Sequence, residues 1–166
     1  GEDTAIVRCM PHTPDLVLSG ATAMYANPQV SDGQRSIEEY ILRAVGFVRW
    51  VEEEALRGAV TGLYVRGPAY LVVFIEALQD AGRELGISDE TAYLLALQTA
   101  FGAAKMALES EENATTLRQR VTSPGGTTER AINTLHEGGF RELVSRALHA
   151  AAERSRELSR EFGSKQ

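Results

Sequence analysis

The sequence predicts a mainly α chain in which three short β-strands precede a long helical region. Three observations carry that expectation. The short β-branched or alternating apolar runs all fall within the first 51 residues, and proline or Asn-Pro closes the first two of them. From Glu52 onward, apolar residues recur at helical spacing between Ser, Asn, Pro and Gly residues placed where helices start and stop. Two successive stretches in that region are apolar in every direction, as helices with no solvent face are.

Thr4 to Met10 reads as the first strand, broken by Pro11-His12-Thr13-Pro14. Ala21 to Ala26 alternates small and bulky residues and reads as the second, and Asn27-Pro28 turns the chain. Ser31 begins a helix with Gln34 as its capping-box partner. Ile37, Ile41, Leu42 and Val45 mark one face of it, and Gly46 is expected to end it. Phe47 to Val51 is the third strand. Glu52 to about Tyr64 starts acidic, as a helix N-terminus prefers. Pro68 suits the first position of a helix running to about Leu85. Ser88 caps the next, Asp89 to about Ser110. Asn113 to Val121 is a short polar helix, and Gly138-Gly139 closes the helix after it. Phe140 to about Phe162 is the last, with Glu153–Arg156 and Glu157–Arg160 expected to pair on a solvated face.

The charge balance narrows the function. At 166 residues the chain is long enough for a substantial core, and its net charge of −6 argues against a nucleic-acid partner. One cysteine, Cys9, forbids an internal disulfide and suits a reducing, cytoplasmic setting; its apolar neighbours suggest a small core residue. The longest uncharged run of the apolar centre, Thr91 to Ala104, is too short for a bilayer, so no membrane partner is expected. His12, His136 and His149 are scattered, with no metal-ligand spacing. No Gly-x-Ser-x-Gly elbow, Walker loop or Gly-x-Gly-x-x-Gly phosphate loop occurs in these residues. Thr61 and Tyr64 are hydroxyls on an otherwise apolar helix, where a packed or backbone-bonded role competes with a catalytic one. The two all-round apolar helices need cover. A homodimer supplies it most economically; the alternative is cover by other helices of the same chain.

The stretch Val121 to Thr128 joins two helices and is chemically distinctive. Pro124 stops the first helix, and Gly125 and Gly126 permit backbone angles that other residues avoid. Thr127 or Thr128 is expected to cap the next helix. Such a loop leaves backbone N–H groups free at a helix N-terminus, a seat for a small carboxylate. The competing reading is a plain helix connection.

Several stretches, in one order along nearly the whole chain, resemble the pyrroline-5-carboxylate reductase family. They are Arg8-Cys9-Met10-Pro11-His12-Thr13-Pro14, Gly20-Ala21-Thr22-Ala23, Ala59-Val60-Thr61-Gly62-Leu63, Gly67-Pro68-Ala69-Tyr70, Gly102-Ala103-Ala104-Lys105-Met106, Val121 to Thr128, and Gly138-Gly139-Phe140-Arg141. The Ser-Pro-Gly-Gly-Thr-Thr loop is the most specific. The resemblance implies residues 1–51 as the last strands of a truncated Rossmann sheet and residues 52–166 as an all-helical dimerisation and substrate-binding domain. It implies a homodimer, or a ring of dimers, and reduction of 1-pyrroline-5-carboxylate to proline with NADPH or NADH. Carried over by position, Ser123, Gly125, Gly126, Thr127 and Thr128 would hold the substrate carboxylate. Thr61 would place a hydroxyl near the substrate ring, and Pro11, His12 and Thr13 would approach the nicotinamide.

The sequence departs from the family in three ways. It begins at what resembles the sixth strand, ahead of which the family carries its phosphate loop. His12 stands where the family has Asn, and Tyr64-Val65-Arg66-Gly67 stands for its Ser-Gly-Ser-Gly. The expectation is a reductase portion that is inactive in isolation, with Tyr64 filling room beside Thr61. The alternative is a non-catalytic dimerisation module, or a degenerate relative that binds a small carboxylate.

Overall fold

The computed structural model describes residues 3–53 and 56–163. The chain is mainly helical, with one three-stranded sheet. Strands β1 (Val7–Met10), β2 (Gly20–Ala26) and β3 (Gly46–Trp50) lie in the order β1-β2-β3. β1 runs antiparallel to β2, from Val7↔Ala26 to Met10↔Ala23, and β3 runs parallel to β2, from Gly20↔Gly46 to Met24↔Trp50. Parallel neighbours need a crossover, and α1 (Asp32–Leu42) provides it. Its capping box is the expected one: the Gln34 N–H donates to Ser31 Oγ at 3.3 Å, and the Ser31 N–H donates to Gln34 Oε1 at 2.9 Å.

α1 ends before Gly46, which opens β3 instead. A Cβ on Gly46 would lie 2.1 Å from the Gly20 carbonyl oxygen, so the strands approach too closely there for any side chain. The middle strand holds the core of the sheet. Thr22, Ala23, Met24 and Ala26 are buried, joined by Val30 and Val48. Cys9, on the outer strand β1, is exposed rather than part of the core, because β1 has only one neighbouring strand. Its thiol is pushed up from its ordinary value by partial burial and then by the Glu38 carboxylate. Between β1 and β2 the chain makes a 3-10 turn, Thr13–Val17, that no sequence signal announced.

The expected helix from Glu52 to Tyr64 is two pieces, and residues 54 and 55 lie outside the described residues. A short α2 (Arg57–Val60) runs into a π-helical turn, Thr61–Val65, closed by the Arg66 N–H on the Thr61 carbonyl at 3.2 Å. Pro68 explains the widening. It has no N–H for the Tyr64 carbonyl four residues back, and its ring crowds that carbonyl. Then follow α3 (Gly67–Glu84), α4 (Asp89–Glu109, capped by Ser88), α5 (Ala114–Arg120, capped by Asn113), α6 (Thr127–Glu137) and α7 (Phe140–Gly163).

These elements form two compact units, residues 1–68 with 146–166 and residues 69–145. In the first, α2 and the π-turn lie close against the second half of α7. A Cβ on Gly62 would come within 3.3 Å of the Leu148 carbonyl and 3.4 Å of the Ala152 nitrogen. On α7, Arg154 reaches Glu157 at 2.7 Å and Glu161 at 3.0 Å. The charged face is therefore organised around that one guanidinium rather than around the two pairs expected from spacing.

In the second unit, α3 and α4 keep their apolar side chains in the open. No α3 residue is buried, and only Ala92 and Ala96 are buried in α4. Leu71 is 64% exposed and Phe101 62%. A single chain therefore leaves uncovered the faces that the sequence expects to be buried on all sides. The helical stretch Gly58–Glu84 is also long and apolar enough, by length and composition, to cross a membrane, unlike the shorter uncharged run Thr91 to Ala104.

Candidate functional site

The second unit carries the glycine loop. α5 ends at Arg120, and the Thr122 hydroxyl donates back to the Arg118 carbonyl at 2.6 Å. Ser123-Pro124-Gly125-Gly126 then forms a type II turn. The Gly126 N–H donates to the Ser123 carbonyl at 3.0 Å, and Gly125 takes φ +73°, the left-handed geometry this turn demands of its third residue. Gly126, in extended conformation, is the cap of α6, and Thr127 is already its first helical residue.

That corrects the expectation that Thr127 or Thr128 caps the helix. The turn delivers Gly126 to the cap position, and no side chain caps α6. The threonine hydroxyls stay available on the exposed first turn, beside N–H groups at the positive end of the helix. Two loop N–H groups are engaged: Gly126 on the Ser123 carbonyl, and Gly125 on Glu129 Oε2 at 2.8 Å. Backbone donors, neighbouring hydroxyls and a favourable dipole together suit a small carboxylate.

The first unit carries the other candidates. Thr61 opens the π-turn and lines a cavity of about 590 Å³ with Arg66, Ala151, Arg154, Ser155, Leu158 and Ser159. The wall combines hydroxyls and a guanidinium with an aliphatic side. Arg154 is committed to its glutamates, whereas Arg66 is exposed at the mouth. Ser155 and Ser159 had no sequence signal, because they reach Thr61 from a helix some ninety residues later. Tyr64 does not fill this cavity. Its ring lies 5.0 Å from that of His12, and its hydroxyl accepts the Ala23 N–H at 2.9 Å. The backbone-bonded reading of that hydroxyl is the one observed. Burial outweighs this hydrogen bond and raises the phenol above its ordinary value.

Pro11, His12 and Thr13 follow the carboxyl end of β1, at the edge of the sheet where β2 and β3 begin. Pro11 and Thr13 are exposed. The ring of His12 is turned inward, with Nε2 2.7 Å from the Ala21 nitrogen and Nδ1 3.0 Å from the Tyr64 carbonyl oxygen. Both ring nitrogens are thus engaged with main chain, and the His12 N–H and carbonyl are themselves paired with Asp15, so the residue offers a neighbouring ligand the second lone pair of its carbonyl. No group of His, Cys, Asp and Glu among the described residues could hold a metal.

A short sheet edge, a π-turn with a hydroxyl-lined cavity, and helices with uncovered apolar faces define a class: a helical module with unpartnered apolar faces that follows the end of an α/β sheet in the chain. The comparisons name the family. Residues 54–158 match the family model described as pyrroline-5-carboxylate reductase dimerisation. A pyrroline-5-carboxylate reductase of Pseudomonas aeruginosa is 50% identical over 163 residues, 98% of this chain and 60% of that protein. Among solved structures, a pyrroline-5-carboxylate reductase from Coxiella burnetii superposes with a TM-score of 0.93 at 50% identity, over 95% of this chain and 58% of that one. The Plasmodium falciparum pyrroline carboxylate reductase, solved with NADP bound, gives a TM-score of 0.84 at 33% identity, over 93% and 62%. The chain belongs to the pyrroline-5-carboxylate reductase family, and it spans about 60% of the length of these relatives.

Proposed function

We propose that this chain supplies the dimerisation and substrate-binding part of a reductase that converts 1-pyrroline-5-carboxylate to proline with NADPH or NADH. Residues 1–51 are read as the closing end of the cofactor domain and residues 52–166 as the dimerisation domain. The observation that carries the reading is the Ser123–Gly126 turn opening α6, in a chain of this family. Ser123, Gly125, Gly126, Thr127 and Thr128 form the cradle of the substrate carboxylate: the hydroxyls of Ser123, Thr127 and Thr128 and the first N–H groups of α6 donate, while Gly125 and Gly126 shape the turn. Each hydrogen bond to the charged group is worth roughly 1.5–3 kcal/mol.

Thr61 places its hydroxyl beside the substrate ring, at the open cavity it shares with Arg66, Ser155 and Ser159. Pro11, His12 and Thr13 fit the nicotinamide side, through main chain at the carboxyl end of β1. When bound, the nicotinamide supplies a hydride to the carbon of the imine C=N bond. The work of this chain is to anchor, orient and desolvate the acceptor. Arg66 acts in two directions there: its charge favours the carboxylate and disfavours a protonated, cationic imine.

The partner is a second copy. The uncovered faces of α3 and α4 support a homodimer more directly than a membrane, because Arg66, Pro68 and the π-turn interrupt the apolar stretch Gly58–Glu84. The single free Cys9 suits the cytoplasm. Titration with proline, followed by amide NMR shifts at Gly125, Gly126 and Thr128, tests the reading. Saturable shifts confined to this loop are expected. A dimer whose loop ignores proline would instead be a dimerisation module without a substrate site.

A further inference from the structure

His12 and Tyr64 meet in the first unit, with their rings 5.0 Å apart. The Ala21 N–H donates to His12 Nε2 at 2.7 Å, and His12 Nδ1 lies 3.0 Å from the Tyr64 carbonyl oxygen. A backbone N–H only donates and a carbonyl only accepts. Nε2 therefore bears the lone pair and Nδ1 the proton, which fixes the tautomer. The Tyr64 hydroxyl in turn accepts the Ala23 N–H at 2.9 Å.

Two of these main-chain groups lack an ordinary partner for identifiable reasons. The Gly20 N–H donates to the Val45 carbonyl and the Met24 carbonyl accepts from Val51, so the even-numbered residues of β2 face β3. By strand alternation, Ala21 and Ala23 face the β1 side. The β1 register stops at Met10↔Ala23, and Pro11 follows, so Ala21 lies past the end of that strand. The Tyr64 carbonyl lies four residues before Pro68, whose nitrogen carries no proton. One imidazole thus closes two gaps in different elements, as acceptor for one and donor for the other. An unsatisfied donor or acceptor at a half-buried position is costly, and this pairing removes two.

We propose that His12 and Tyr64 are a matched pair of positioning residues that hold the π-turn carrying Thr61 against the start of β2. This rests on the reading of Thr61 as a substrate-facing hydroxyl. Neither residue does the work alone. A serine at 64 would keep the carbonyl but could not reach Ala23, and a shorter side chain at 12 would leave Ala21 or Tyr64 without a partner.

The test uses the 166-residue chain with its histidines labelled in ¹⁵N. In the unaltered protein, His12 is expected with a protonated Nδ1 and an unprotonated Nε2; the opposite tautomer would overturn the pairing. In Tyr64→Phe, the Ala23 amide keeps its register partner Met10 but loses the phenol oxygen, so its resonance should move. The Ala21 amide and the His12 tautomer should stay as they were. An Ala23 resonance left in place by this variant overturns the proposal. In His12→Phe, the Thr61 amide resonance should move, and a Thr61 signal that stays in place would show that nothing is being positioned. None of these readouts involves the glycine loop, so silence of that loop towards proline would sink the substrate reading and leave this pair intact.

Discussion

Alanine at Gly62 sets two effects of one methyl group against each other. In a helix interior, Gly→Ala gains roughly 0.8–1 kcal/mol, because alanine has fewer unfolded conformations to lose. At Gly58 that gain should be realised, since the nearest atom to a new Cβ is the flexible Arg156 Cγ at 3.5 Å. At Gly62 the nearest atoms are backbone: the Leu148 carbonyl oxygen at 3.3 Å and the Ala152 nitrogen at 3.4 Å. Helix backbone does not swing aside, so α7 would have to shift, and overpacking of this kind costs about 1–3 kcal/mol. Gly58→Ala is thus expected to stabilise, and Gly62→Ala to fall about 1–3 kcal/mol below it. At roughly 2–4 °C per kcal/mol for a chain of this size, the two melting temperatures should differ by about 2–12 °C. Calorimetric melts at one matched protein concentration make the comparison, because the midpoint of an oligomer depends on concentration. If Gly62→Ala melts with Gly58→Ala or above it, the π-turn and α7 do not approach as described.

Thr128→Val removes one hydroxyl donor and keeps the shape, so proline affinity should drop about ten- to a hundredfold, read by titration of the Gly125 amide. Equal affinity would remove Thr128 from the cradle. Phe101→Glu places a charge on the exposed apolar face of α4 and should shift the population towards monomer in light scattering at low micromolar concentration; an undisturbed dimer would put the interface elsewhere. Glu39 accepts from the Trp50 indole and from the Arg43 guanidinium, in that order of effect, and both hold its carboxyl below the usual range. A lowered folded-state value means that the stabilisation is complete above the ordinary glutamate range and is lost as pH falls from there through the lowered value. Glu39→Gln should flatten that part of the acid-unfolding curve followed by fluorescence of the single Trp50, and an unchanged slope would show that the carboxylate is not coupled to folding.

Local chemistry written into adjacent residues was legible from sequence. Ser31 with Gln34, Ser88, Asn113 and the proline at 68 each announce a helix start, because the signal lies within four residues of its effect. What escaped depends on distant partners. Cys9 reads as core by its apolar neighbours, yet β1 has only one neighbouring strand to cover it. Tyr64 reads as an obstruction next to Thr61, yet a proline four residues on and a strand forty residues back direct it elsewhere. The glycine loop shows the limit at close range. Its residues were correctly singled out as a turn, but Pro124 and Gly125 shift the cap by one position to Gly126, and that outcome needs turn geometry rather than residue preference.

The first unit is discontinuous along the chain: residues 1–68 wait for residues 146–166. Gly58 and Gly62 have their packing surface only once Leu148 and Ala152 have been synthesised and have returned across the whole of residues 69–145. Assembly of this unit is therefore a late, non-local event with a closure entropy to overcome, whereas α3 to α6 can form from near neighbours as they emerge. A growing chain passes through a stage in which its sheet and its helical middle can form and the Thr61 turn is still unseated. Premature termination anywhere before Leu148 would leave the Thr61 turn without the helix that seats it, so shortening the far end of the polypeptide should damage its beginning.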